Sequence, residues 1–179
     1  MEYIEALWLI LPAGFANMSP VLAEKIFPDL NLPVDLNRTW KNKQIFGPHK
    51  TYRGLFSGMI IGFVVFFLQQ KAYTLSPSVR ALSLIDYSAL PTAFGAWLGL
   101  AALLGDLLKS FFKRRLAIDP GRPWIPFDEV DWVAGTLLAI SFLFVPGWKL
   151  SWCIFVVGVG LHFFIRGVAY LLHFVASPF

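Results

Sequence analysis

Charge is scarce in this 179-residue chain. Asp, Glu, Lys and Arg make up 15% of it, while 57% is hydrophobic and the mean hydropathy is +0.64. An ordinary soluble domain carries about 25% charged residues. The shortage excludes a soluble globular protein and points to an integral membrane one. Cysteine is nearly missing too. Cys153 stands alone inside an apolar run, so no intrachain disulfide can form and the residue reads as a small buried hydrophobe. His49, His162 and His173 have no matching cysteine or carboxylate spacing, which argues against a zinc site. No Ser-His-Asp or Cys-His arrangement is visible, so covalent catalysis is not suggested. The glycine-lysine order of a Walker A loop is missing. The chain opens on Glu2 and Glu5 rather than a basic region, and its first apolar run continues past Pro20. That run therefore reads as a span, not a cleaved signal.

What is present is a series of apolar runs at 3–27, 54–73, 88–115, 132–146 and 149–175. A helix needs about 20 residues to cross a hydrocarbon core, and 132–146 is the short one. Pro146-Gly147 reads as a tight turn between antiparallel helices. The expected fold is all-α: one polytopic membrane domain over 1–179 with five transmembrane helices. The side that holds the polar segments 28–53 and 116–131 carries twelve of the fifteen Lys and Arg, counting Lys25, Lys109, Lys113, Arg114, Arg115 and Arg166 on the adjoining spans, and the opposite side holds only Lys71, Arg80 and Lys149. By the positive-inside rule those two loops and the C-terminus are expected in the cytoplasm, with the N-terminus outside. The 18 Phe and 7 Trp suit lipid-facing and interfacial positions. Gly54, Gly58 and Gly62 share one helix face, as do Gly95, Gly99 and Ala102. Such faces let helices approach closely in lipid. Packing within the chain is the favoured use, and a homodimer is the alternative.

The third run ends in charge. Asp106, Lys109, Ser110, Lys113 and Arg114 recur at helical spacing and form a polar stripe on an apolar helix. The loop beyond adds Asp119, then Asp128 and Asp131, three residues apart and able to face one way. Charges at membrane depth are costly and mark function by default. Hard carboxylate oxygens suit Mg²⁺, which binds through a few carboxylates plus substrate phosphates. Lys113 and Arg114 suit the phosphate oxygens. Arg115 reads as a positive-inside anchor. Asp128 and Asp131 have a plainer reading as dipole partners of a helix start. Asp106, a turn inside the apolar run, has no such plain reading.

A second constellation runs from Lys41 to Gly54. Gly47-Pro48 makes a turn, and Lys50, Thr51 and Arg53 sit where the second span begins. A helix N-terminus with Lys and Arg is an anion site. Lys41 and Lys43 read instead as a collar for anionic lipid. Asn17, Ser19 and Pro20 line a cavity or make a packing kink. His162 and Arg166 share a helix face, and Arg166 reads first as an interfacial anchor.

Taken together, Gly105-Asp106-Leu107, Ser110-Phe111-Phe112-Lys113-Arg114, Asp119-Pro120-Gly121 and Asp128-Glu129-Val130-Asp131 resemble the signature of the phosphatidate cytidylyltransferases. Lys109 stands where the bacterial pattern has Glu, Ile118 replaces a Lys, and Arg122–Phe127 replaces a glycine-rich loop. With Gly47-Pro48-His49-Lys50-Thr51-Tyr52-Arg53-Gly54 and the short chain, these departures resemble the archaeal branch, the CDP-archaeol synthases. The resemblance implies transfer of CMP from CTP to 2,3-bis-O-geranylgeranylglycerol phosphate with Mg²⁺, in the cell membrane, with the site on the cytoplasmic side and no nucleic-acid partner. It implies metal binding by Asp106, Asp128 and Asp131, with Asp119 as a fourth ligand. Lys50, Thr51, Arg53, Ser110, Lys113 and Arg114 would bind substrate. The catalytic set would be Asp106, Lys113, Asp128 and Asp131. The alternative function is a small transporter or channel with an acidic ion path, although no inverted repeat is visible.

Overall fold

Helix formation follows the apolar runs, and small residues decide how the helices meet. The computed structural model describes residues 2–171. Helix α1 spans Glu2–Ile26, α2 Tyr52–Leu75, α3 Pro77–Ala81, α4 Ala93–Arg115, α5 Phe127–Ser141 and α6 Trp148–Leu171. Four of them (α1, α2, α4 and α6) are long and apolar enough to cross a membrane. At 15 residues α5 is shorter; with a rise of 1.5 Å per residue it reaches about 22 Å. Apolar side chains such as Phe56, Ile60, Leu68, Phe155 and Phe164 are exposed on the outside of the bundle. That pattern suits a hydrocarbon surround rather than water, and the protein is a multi-pass membrane protein.

Helix α4 runs through the middle and packs on α1, α2 and α5. Its contact with α2 is made by backbone. A Cβ on Gly62 would overlap the Gly95 carbonyl, and one on Gly99 would overlap that of Gly58. The two small-residue faces therefore meet each other inside one chain and are not available to a second copy. A core of Leu9, Ile10, Leu98, Trp132, Val133 and Ile154 fills the space among α1, α4, α5 and α6. Ser19 hydrogen-bonds the Ala16 carbonyl and Ser57, and Pro20 lies against Gly54, so this stretch packs α1 on α2.

Several features differ from the apolar-run reading. The chain is not purely α: Thr39–Trp40 (β1) and Lys43–Gln44 (β2) form a small antiparallel hairpin within the 28–53 loop. The 74–87 loop contains α3, where Ser76 caps the helix by accepting from the Val79 N–H and Pro77 takes the first position. Helix α4 begins at Ala93 rather than 88, after a 3₁₀ turn at Tyr87–Ala89. Helix α5 begins five residues before the apolar run, at Phe127. Its acidic first turn favours the helix N-terminus, and the Asp128 carboxylate accepts from the Trp124 N–H at 2.6 Å. Residues 172–175 of the fifth run and His173 lie outside the described residues.

The two polar loops meet at one end of the bundle, where Arg115 of α4 holds the hairpin. Glu2 and Lys149, paired at 2.6 Å, mark the other end. Replacing Gly62 by Val would force α2 off α4. Overpacking of this kind costs about 1–3 kcal/mol, and a lowered thermal midpoint in detergent checks it; an unchanged midpoint would mean the backbones are not in contact.

Candidate active site

The site is built on the last three turns of α4, where a polar stripe meets the start of α5. Gly105 makes this possible. Its Cα lies so close to the Asp131 carbonyl that a Cβ would overlap it, and Gly135 bears the same relation to the Ala101 carbonyl. The backbones of α4 and α5 therefore touch, and Asp106 and Asp131 come to face one another.

Lys109, which the sequence reading left without a role, takes the centre. Its ammonium lies 3.0 Å from Asp106 Oδ1, 2.9 Å from Asp128 Oδ1 and 2.7 Å from Asp131 Oδ2. Lys50, reaching in from the 28–53 loop, pairs with the other oxygen of Asp106. Lys113 lies 3.2 Å from both oxygens of Asp128 and donates to the Arg122 carbonyl at 2.5 Å. Three carboxylates and three ammoniums thus neutralise one another in a largely buried network. Among the described residues no three acidic or imidazole groups stand together ready to hold a metal. The three carboxylates are arrayed around a lysine instead. They do turn one oxygen each onto a single cationic point, and such hard donors fit a divalent ion such as Mg²⁺.

Two cavities adjoin the network. A polar one of about 280 Å³ is lined by Gly47, Pro48, His49 and Lys50 from one loop and by Pro120–Pro123 from the other. Phe46, Lys109, Ser110, Lys113, Asp128 and Arg166 complete it. An apolar groove of about 750 Å³ runs between α4 and α5, walled by side chains such as Leu104, Leu108, Phe112, Phe127, Ala134 and Leu138. Lys109 lines both.

The other residues singled out in the sequence are placed differently. Ser110, Lys113 and Arg114 are buried, and Ser110 and Lys113 face the polar cavity. Thr51 caps α2, its hydroxyl accepting from the Gly54 N–H at 3.2 Å. Arg53 is turned away, donating to the carbonyls of Phe27 and Pro28 at 2.7 and 3.2 Å. Asp119 is exposed beside Arg122 and is not brought to the other three carboxylates. Arg166 faces the cavity, where the sequence favoured an interfacial anchor. Arg115 is more than an anchor: it donates to the carbonyls of Trp40, Lys43 and Gln44 and lies over the Trp40 and Phe111 rings. Lys43 returns a bond to the Arg115 carbonyl at 2.9 Å. Asp35 was missed altogether. It is buried and accepts from the N–H groups of Asn37, Phe46 and Gly47, holding the turn that aims Lys50. An aspartate in a polar loop carries no sequence signal for that task.

Comparisons with known proteins give the family. The sequence model of a family described as "CarS-like: CDP-archaeol synthase" matches residues 2–179. The chain belongs to the CDP-archaeol synthase family. It is 36% identical over 135 residues to a CDP-archaeol synthase of Pyrococcus furiosus, covering 75% of this chain and 72% of that protein. It is 39% identical over 135 residues to one of Thermococcus onnurineus, covering 74% and 71%. Among solved structures it resembles one described as an intramembrane enzyme for archaeal membrane lipid biosynthesis. That likeness has a TM-score of 0.70 and 28% identity, over 90% of this chain and 92% of the other.

The hairpin latch is testable in isolation. Arg115→Ala should leave the helices folded but expose the backbone after Lys41 and Lys43 to trypsin, seen as faster cleavage of detergent-purified protein. A cleavage rate equal to wild type would show that Arg115 does not hold the loop.

Proposed function

We infer that this CDP-archaeol synthase transfers CMP from CTP to 2,3-bis-O-geranylgeranylglycerol phosphate, releasing pyrophosphate, and that it does so with Mg²⁺ at the cytoplasmic surface. The observation that carries this reading is the meeting of two unlike spaces at Lys109: a cationic cavity sized for phosphates, and an apolar groove open between α4 and α5. A soluble nucleotide and a lipid phosphate need such a pair. The membership of the family supplies the reaction. The transporter reading has no support from these relatives.

The lipid phosphate is already ionised, so the site needs no strong general base. One of its oxygens forms a bond to the α-phosphorus of CTP while the bond from that phosphorus to pyrophosphate breaks. Catalysis is positioning plus neutralisation of charge. Lys50, Lys113 and Arg114 hold phosphate oxygens, Ser110 donates a hydrogen bond, and Arg166 adds charge at the cavity wall. Asp106, Asp128 and Asp131 hold Mg²⁺, which supplies Lewis-acid polarisation of the phosphoryl group when bound. Thr51 and Arg53 shape the start of α2 rather than touch substrate. The isoprenoid chains lie along Leu104, Leu108 and Leu138. Five membrane crossings, with α5 the short one, and an external N-terminus complete the reading, since twelve of the fifteen Lys and Arg lie in the two polar loops or on the spans toward that side.

Pyrophosphate release by the purified protein tests the reaction. Release should require CTP, Mg²⁺ and the geranylgeranylated lipid together, and should fail with ATP or with EDTA. Release without the lipid, or none from folded protein, would overturn the assignment. Asp131→Asn should reduce turnover by about 100-fold or more, the scale of losing a preorganised charge-stabilising group; near-normal turnover would remove Asp131 from metal binding. Ala134→Phe should raise KM for the lipid while leaving the affinity for CTP unchanged, because Ala134 lines the groove and not the cavity.

A further inference from the structure

The charge balance of the site poses a problem for its ligands. Every carboxylate that would hold a divalent ion already has an ammonium partner, and Lys50 and Lys113, the two lysines that would hold phosphate, are engaged with carboxylates. Lys109 is the focus of that arrangement. It bonds Asp106, Asp128 and Asp131 at once, at 2.7–3.0 Å, from a position one turn beyond Asp106 on the same helix. A bare divalent ion entering that space must either displace the ammonium or accept repulsion from it. The displaced ammonium has somewhere to go. Its side chain stands at the junction of the polar cavity and the apolar groove, the place where a phosphate carried on an apolar tail would sit.

We propose that Lys109 is a tethered counter-cation that fills the carboxylate triad of the free enzyme and couples metal binding to phosphate binding. It rests on the metal and phosphate reading above. In the free protein the ammonium keeps Asp106, Asp128 and Asp131 from repelling one another and keeps bare divalent ions out. When a divalent ion takes the carboxylates, Lys109 turns to the lipid phosphate at the mouth of the groove. Each exchange swaps one opposite-charge contact for another, so no charge is left buried without a partner. Coupling of this kind is reciprocal: phosphate strengthens metal binding by the factor by which metal strengthens phosphate binding. Lys109 is on this account a positioning residue whose loss produces a gain of metal affinity, which a merely structural lysine would not show.

The test is titration of the detergent-purified full chain with Mn²⁺ alone, followed by electron paramagnetic resonance of the free ion. Wild type and Lys109→Arg, which keeps the charge, should bind weakly. Lys109→Gln and Lys109→Met should bind about tenfold or more tightly, within the usual range of coupling between sites, and adding Asp131→Asn to either should abolish the gain. In turnover, Lys109→Gln should raise KM for the lipid phosphate more than KM for CTP. Equal Mn²⁺ affinity in wild type and Lys109→Gln overturns the proposal while leaving a metal-dependent synthase intact. Turnover that persists in EDTA overturns the metal reading and this proposal with it. Should both uncharged variants fail to fold, wild type decides: a Mn²⁺-induced rise in its thermal midpoint that is larger with the lipid phosphate present than without it supports the proposal, and a rise that is the same in both overturns it.

Discussion

The contact of α4 with α5 through Gly105 and Gly135 is the constraint on which the site depends. Asp106 and Asp131 belong to different helices, and in a medium of low dielectric their mutual repulsion would drive those helices apart. The backbones can touch because neither glycine carries a Cβ. The charges can stay because Lys50, Lys109 and Lys113 neutralise them. Removing one partner from such a network leaves an uncompensated charge, a cost of about 3–5 kcal/mol when fully buried. Close approach and charge balance are therefore one requirement: the glycines bring the carboxylates together, and the lysines make the meeting tolerable.

Helix α4 carries both halves of that solution and links them to the rest of the bundle. Its upper part packs on α2 and α1 through Gly95, Gly99 and Ala102, which fixes the helix in register. Its last turns then project a polar stripe toward the two loops. The same helix walls the apolar groove with Leu104, Leu108 and Phe112. One element thus presents an apolar face to a lipid tail and a charged face to phosphate, and Lys109 lies on the border.

The loops are shaped by bonds between segments far apart in sequence. Asp35 gathers the N–H groups of Phe46 and Gly47, and Gly47 adopts a positive φ of 104° that a side chain would resist. Arg115 clasps the hairpin from the end of α4. Together they hold Lys50 over Asp106. The basic character of this loop had two readings, a lipid collar and a phosphate site. The structure divides it: Lys43 serves the latch, Arg53 bonds the Phe27 and Pro28 carbonyls just beyond α1, and Lys50 serves the site.

Hydropathy by itself determined that the chain is helical and membrane-embedded, because the cost of burying backbone in lipid leaves few alternatives for runs of this length. The spacing of Asp106, Ser110, Lys113, Asp128 and Asp131 marked the chemistry, since helical periodicity places such residues on one face wherever the helix goes. Helix ends were less legible. Helix α5 starts at Phe127 with a polar first turn, whose Asp128 is tied back to the Trp124 N–H of the preceding loop, and hydropathy reads that turn as loop. What only the tertiary structure decided is who meets whom. Asp119 fits the spacing yet stands apart from the other carboxylates, exposed beside Arg122. Lys109 departs from the related bacterial pattern yet sits among three carboxylates. Spacing along one helix is a local property, but the convergence of α4, α5 and the 28–53 loop depends on which backbones can touch, and that is settled by packing between segments distant in sequence.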